Sequence, residues 1–168
     1  MTKYLLDSNI YINFYDRYYQ HSYFPSFWEN LKEIMNQNVL IPKVVIDEHY
    51  QDQWFTQWLS ENFEHEIINH NNYAEEWVQI LDHVSTCGFY SDAALSSSKG
   101  WANVRIADPW IIAIAKSDDL VIVTSELKNK NLNANQPSKA AKIPDICNSL
   151  GIRCIDMNTF FKEMNLSI

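Results

Sequence analysis

Apolar residues along this chain follow two spacings, and the switches between them outline the elements. Residues 3–6 are apolar on both faces, the pattern of a central parallel strand, and Asp7 ends the run. Over residues 25–37, Phe27, Leu31, Ile34 and Met35 recur at helical spacing, with Pro25 suited to the first turn. Val39, Leu40 and Ile41 form a second strand, and Pro42 begins the turn into a helix that carries Glu48. Residues 50–84 keep a helical pattern, with Trp54, Phe55, Trp58 and Leu59 in one stripe and Trp77, Val78, Ile80 and Leu81 in another.

Residues 87–103 are Ser-rich and read as a loop. A strongly apolar helix follows over 109–116 with Asp108 at its start, and Leu120 to Val123 is the clearest buried strand. Pro144 and Asp145 open a short helix to Leu150, Gly151 stops it, residues 153–156 make an edge strand, and 158–164 close the chain as a helix. Strands alternating with helices predict an α/β fold, a three-layer α/β/α sandwich around a mostly parallel sheet. With few glycines and prolines and no repeat or linker, residues 1–168 read as a single domain.

Charge changes the picture by its distribution. The net charge is −8, which alone disfavours a nucleic-acid partner. Residues 1–98 hold four Lys and Arg against 14 acids, whereas residues 99–168 hold nine against seven. Lys128, Lys130, Lys139 and Lys142 fall in an Asn-rich stretch, 127–144, without a single acid. It reads either as a solvated loop or as a surface for a phosphate backbone. Neither a signal-peptide core nor a membrane span is visible, so a cytoplasmic protein with no membrane partner is expected. Cys87, Cys147 and Cys154 are odd in number and lack metal-site spacing, so buried thiols are expected.

The candidate chemistry lies in four acids placed at element junctions: Asp7, Glu48, Asp108 and Glu126. In an open parallel sheet such junctions converge on one crevice. Each acid also has a plainer reading. Asp7-Ser8-Asn9 and Asp108-Pro109 suit helix caps, Glu126 suits a first-turn acid, and helix acids such as Glu48 are commonly solvated. Glu48 is preferred to its neighbour Asp47 because it falls one turn after Val44 and Val45, on their inward side. Two like charges ~4 Å apart repel by about 4 kcal/mol at an effective dielectric near 20, so four ionised acids in one pocket call for a cation. Oxygen-only ligands select Mg²⁺ or Mn²⁺.

The strand followed by Asp7-Ser8-Asn9, the helical Glu48, Ala107-Asp108-Pro109-Trp110-Ile111-Ile112-Ala113 and Val123-Thr124-Ser125-Glu126 together resemble the PIN-domain nucleases over nearly the whole chain. Phe24-Pro25-Ser26-Phe27-Trp28 and Lys142-Ile143-Pro144-Asp145-Ile146-Cys147 resemble an uncharacterised bacterial branch of that family. The resemblance implies a PIN-like sandwich in which Asp7, Glu48 and Asp108 are metal-site acids. Glu126 fills a fourth position that is more often Asp in the family. Asp145 is open to two readings, an added site acid or a helix cap. Thr124 and Ser125 are expected to orient the attacking water or Glu126, and Ser8 and the four lysines to contact substrate.

The implied activity is Mg²⁺- or Mn²⁺-dependent hydrolysis of single-stranded RNA by the toxin of a bacterial toxin-antitoxin pair. RNA, an antitoxin protein and a second copy of the chain are the expected partners. Two alternatives within the fold are an interaction module with weak catalysis and a structure-specific DNA nuclease. A metal-independent ribonuclease would need two of His21, His49, His65, His70 and His83 as acid and base, and their spacing suggests no pair.

Overall fold

A computed structural model describes residues 1–49 and 52–168. Tyr50 and Gln51, where the first predicted helical stripe begins, lie outside the described residues. Four short strands, β1 (Tyr4–Leu6), β2 (Val39–Leu40), β3 (Val121–Val123) and β4 (Cys154–Ile155), form an all-parallel sheet in the order β2-β1-β3-β4. Register pairs Tyr4 with Val39 and Val121, and Ile122 with Cys154. Every residue of β1 and β3 is buried, which a sheet achieves only when helices cover both faces. The architecture is therefore an α/β fold with a parallel sheet sandwiched between helices.

The helices are α1 (Ser8–Ile12), α2 (Pro25–Asn38), α3 (Lys43–Glu48), α4 (Gln53–Asn62), α5 (Ala74–Thr86), α6 (Ala93–Ser96), α7 (Ala107–Asp118), α8 (Ile143–Leu150) and α9 (Met157–Glu163). Helix α1 runs straight into a π-helical turn, Asn13–Tyr18. Its rings, with those of α2 and α9, make one aromatic cluster: Phe14 against Phe27 and Phe161, and Tyr19 stacked on Phe27 at 4.2 Å. Helix α9 is further fixed to β1 by Tyr4, which packs on Phe160 and donates to Glu163. On α7 every residue from Pro109 to Ala115 is buried, so this helix has no solvent face over most of its length. Among the described residues no helix is long and apolar enough to cross a membrane.

Four sequence expectations change. The helical run over 50–84 is broken at residues 63–69, where Ile68 donates to Ile41 O and accepts from Lys43 N beside β2. A 3-10 turn, His70–Tyr73, then leads into α5. The stripes survive the break in part: Phe55, Leu59 and Ile80 are buried, whereas Trp54 and Val78 are exposed. The loop 87–103 contains α6. The cysteines are all free, but only Cys147 is buried.

Gly100 matters by sterics. A Cβ built there would lie 2.2 Å from the carbonyl oxygen of Leu95. The close approach lets Trp101 N donate to Ala94 O at 3.0 Å, which folds Trp101 inward beneath α6. Gly100→Ala is expected to destabilise the protein by about 2 kcal/mol through this overpacking, read as a lower urea midpoint with an unchanged slope.

Candidate functional site

Chain order reverses between β1 and β3, since β2 lies beyond β1 on one side and β4 beyond β3 on the other. The crevice at the carboxyl ends of these two central strands is where open parallel sheets place their ligands. Asp7 follows β1 and Thr124 follows β3, so the sheet itself sets them side by side. Asp7 N donates to Val123 O at 2.9 Å, and the Thr124 hydroxyl donates to Asp7 Oδ2 at 2.8 Å. Asp7 stands at the N-cap position of α1, yet its side chain makes no cap hydrogen bond. Its carboxylate faces the crevice instead.

Glu48, the last residue of α3, reaches the same place from another direction. Its Oε1 accepts from Ala107 N at 2.9 Å and its Oε2 accepts from the Ser8 hydroxyl. Ser8 and Ala107 are the first residues of α1 and α7, so one carboxylate ties two helix starts together and satisfies a free N–H of α7. Asp47 is turned away and pairs with Lys43 on the surface, at 2.7 Å.

Asp108 is not the cap of α7. Ile106 holds that position, and Asp108 lies in the first turn, where the nearby Trp101 opposes the rise of its carboxyl pKa. Glu126 does not start a helix either, because β3 leads into an irregular segment. Its backbone N–H donates to the Thr124 hydroxyl at 3.1 Å, and its Oε2 accepts from Ile143 N at 2.9 Å, at the start of α8. Lys142 Nζ lies 3.7 Å from the other oxygen. Glu48 and Glu126 thus act alike, each holding the start of a helix distant in sequence. Nothing in the local pattern around either residue signals that role.

The four acids share one electrostatic neighbourhood. Burial, then the charges of Glu126 and Glu48, push the Asp7 carboxyl up to about 6 against the opposing hydrogen bond from Thr124. Asp108 is driven well above the ordinary carboxylate range by burial and by Asp7, Glu126 and Glu48. Among the described residues, however, no group of three or more His, Cys, Asp or Glu side chains is disposed to hold a metal ion. The acids influence one another's charge, and one oxygen of Glu48 and one of Glu126 are held to the helix starts by hydrogen bonds.

Ser8, read from sequence as a substrate contact, and Thr124, read as orienting the attacking water or Glu126, are buried with their hydroxyls committed to Glu48 and Asp7. They hold the acids in place. Ser125 is exposed and lines a separate cavity with Asn13, Tyr19 and Asp156. Asp145 caps nothing in its own helix, where Lys142 is the N-cap. Both its oxygens accept from Asn129 N, at 3.0 and 3.2 Å, which ties down the near end of the basic loop. The loop's asparagines have a structural use, since Asn129 and Asn133 accept from backbone N–H groups two or three residues on. Its far end is bridged to residues 89–91 through Ser138. Lys128, Lys130 and Lys139 remain exposed.

The histidines are packed against different partners. His49 is buried with Tyr15 OH on its Nδ1 at 2.9 Å, His70 lies edge-on to Trp110, and His83 meets Ser149. Trp101 is the site residue that sequence reading missed. It lies in a segment with no periodicity, and the Gly100 approach that buries it is visible only in the structure.

Fold and site together define a parallel α/β protein with an acidic crevice at its topological switch point. The chain belongs to the family described as Domain of unknown function (DUF4411), whose profile matches residues 4–168. No curated protein and no solved structure matches the chain.

Proposed function

We propose that this protein is a divalent-metal-dependent nuclease that hydrolyses single-stranded RNA. The observation that carries the reading is the placement of Asp7, buried, and Asp108, half-buried, at the switch point with Glu48 and Glu126 near enough to raise both carboxyls. Such an arrangement is unfavourable by itself, and natural folds retain unfavourable sites where function uses them. The donor set fits a hard cation: it is all oxygen, and the nearest lysine contact, Lys142, goes to Glu126.

Asp7 and Asp108 would hold Mg²⁺ or Mn²⁺ directly, with Glu48 and Glu126 completing the shell while they keep their helix N–H bonds. When bound, the cation supplies Lewis acidity and brings the pKa of a water toward neutrality. Thr124 fixes the orientation of Asp7, and Ser8 together with Ala107 N–H fixes that of Glu48. Water attacks phosphorus, the bond to the 3′-oxygen breaks, and that oxygen leaves with a proton. The products are a 5′-phosphate and a 3′-hydroxyl. Lys128, Lys130 and Lys139 stand on a loop anchored at both ends, which suits contacts to flanking phosphates.

The resemblance to PIN-domain nucleases extends the proposal to a cytoplasmic toxin neutralised by an antitoxin. Exposed Trp54 and Tyr23, with their neighbours, offer aromatic surface to such a partner or to a second copy of the chain. The competing reading, a PIN-fold interaction module, draws on the lack of a ready metal cage among the described residues. Purified protein incubated with unstructured RNA decides between them. Cleavage at Mn²⁺ saturation, absent in EDTA and leaving 5′-phosphate ends, supports the nuclease; intact RNA at every Mn²⁺ concentration sinks it.

A further inference from the structure

A cavity of about 540 Å³ opens between α3 and the segment just before α7, and Glu48 of the acidic crevice is part of its wall. Val44, His70, Asn71, Val104 and Arg105 line it as well. Its volume falls in the range of small-molecule sites, which run from roughly 300 to 1,000 Å³. The lining is mixed in a particular way. Two valines offer apolar contact, an imidazole and an amide offer hydrogen bonds, and one guanidinium offers paired donors suited to phosphate. Lys43 and Asp47, also at the rim, neutralise each other at 2.7 and 2.8 Å. Among the described residues Arg105 forms no salt bridge, so its charge is the uncommitted cation of the cavity.

The walls are held from behind. Trp110 Nε1 donates to Val104 O at 3.0 Å, and Arg105 N donates to Asn103 Oδ1 at 3.0 Å, which together fix the backbone that presents Arg105. His70 packs edge-on against Trp110 at 4.8 Å, and Trp77 stacks on the same ring at 4.9 Å. Ala107, two residues beyond Arg105, is the residue whose N–H binds Glu48. Arg105 therefore stands in the turn that leads directly into the helix start bound by Glu48 of the acidic crevice. Another cavity, of about 660 Å³, lies at the opposite end of the sheet beside Lys3, Leu120 and Arg153 and has no such connection.

We propose that the Arg105 cavity receives the nucleotide adjoining the scissile phosphodiester, with Arg105 on its phosphate and His70 and Asn71 at the edge of its base. The proposal rests on the nuclease reading, and its first test avoids cleavage altogether. Calorimetric titration of the full chain in EDTA, using 5′-AMP and 5′-UMP as probes, is expected to show binding of at least one nucleotide. Arg105→Ala should weaken that binding about tenfold, with Lys32→Ala unchanged. Failure of the wild type to bind either probe, or equal binding by Arg105→Ala, overturns the assignment. With Mn²⁺ and RNA, Arg105→Ala should raise KM with kcat within about twofold; a fall in kcat at constant KM contradicts a positioning role. If nucleotides bind through Arg105 but RNA stays intact, the cavity stands as a nucleotide site, and the cleavage reading fails together with the placement beside a scissile bond.

Discussion

Asp7→Asn is expected to lower Mn²⁺-dependent RNA cleavage on the order of 1,000-fold, about 4 kcal/mol of transition-state stabilisation. Asparagine keeps an oxygen that can still accept from the Thr124 hydroxyl, so the 2.8 Å contact and the strand-end geometry survive. What is lost is the anionic charge that would hold a hard cation, and neutral amides replace it poorly. Asp108→Asn should behave alike, since Asp108 shares the same neighbourhood. Cleavage by Asp7→Asn at the wild-type rate, measured with purified protein across a Mn²⁺ titration, removes Asp7 from the chemistry.

The same substitution should stabilise the metal-free fold. The Asp7 carboxyl is pushed up to about 6 from an ordinary 3.8, so the folded protein favours its neutral form. That contribution is fully present below about pH 4 and is lost as pH rises through 6; by pH 8 the ionised, crowded carboxylate costs roughly 3 kcal/mol. Asparagine has no charge to lose. In EDTA the Tm of Asp7→Asn should exceed that of the wild type by on the order of 5 °C at pH 8, with the two converging near pH 4.5. The comparison between proteins is essential because His49 opposes the trend. Burial holds its pKa down to about 4, so its contribution is lost as pH falls from 6.5. Saturating Mn²⁺ should raise the wild-type Tm and leave Asp7→Asn nearly unmoved. A variant that melts lower than the wild type at pH 8 in EDTA contradicts the electrostatic account. Loss of activity with gain of stability is the pattern expected where a site is retained for function.

Much of the fold was legible because its signals are local. β1 and β3 are apolar on both faces, Gly151 ends α8 with a left-handed φ of 71°, and the Pro25 and Pro144 helix starts lie within a residue of their predicted places. The break at residues 63–69 was hidden because aromatic spacing stays helical across it, while a tertiary bridge of Ile68 to the end of β2 decides the backbone. Cap readings for Asp7, Asp108 and Asp145 followed sound local rules and failed. Each N-cap position or first turn is real, but no side-chain cap bond forms: Asp7 and Asp145 accept from Thr124 and Asn129 instead, and Asp108 sits one residue inside the first turn.

The amino-acid sequence by itself determined an alternation of strands and helices and four acids at their junctions, because periodicity and turn chemistry act within a few residues. Only the tertiary structure decided that β1 and β3 lie side by side, which brings Asp7 to Thr124. It alone turned Glu48 and Glu126 to the starts of α7 and α8, and Arg105 to the cavity that Glu48 shares. Those outcomes depend on strand order and on hydrogen bonds spanning 17 to 117 residues, and no short window of sequence carries that information.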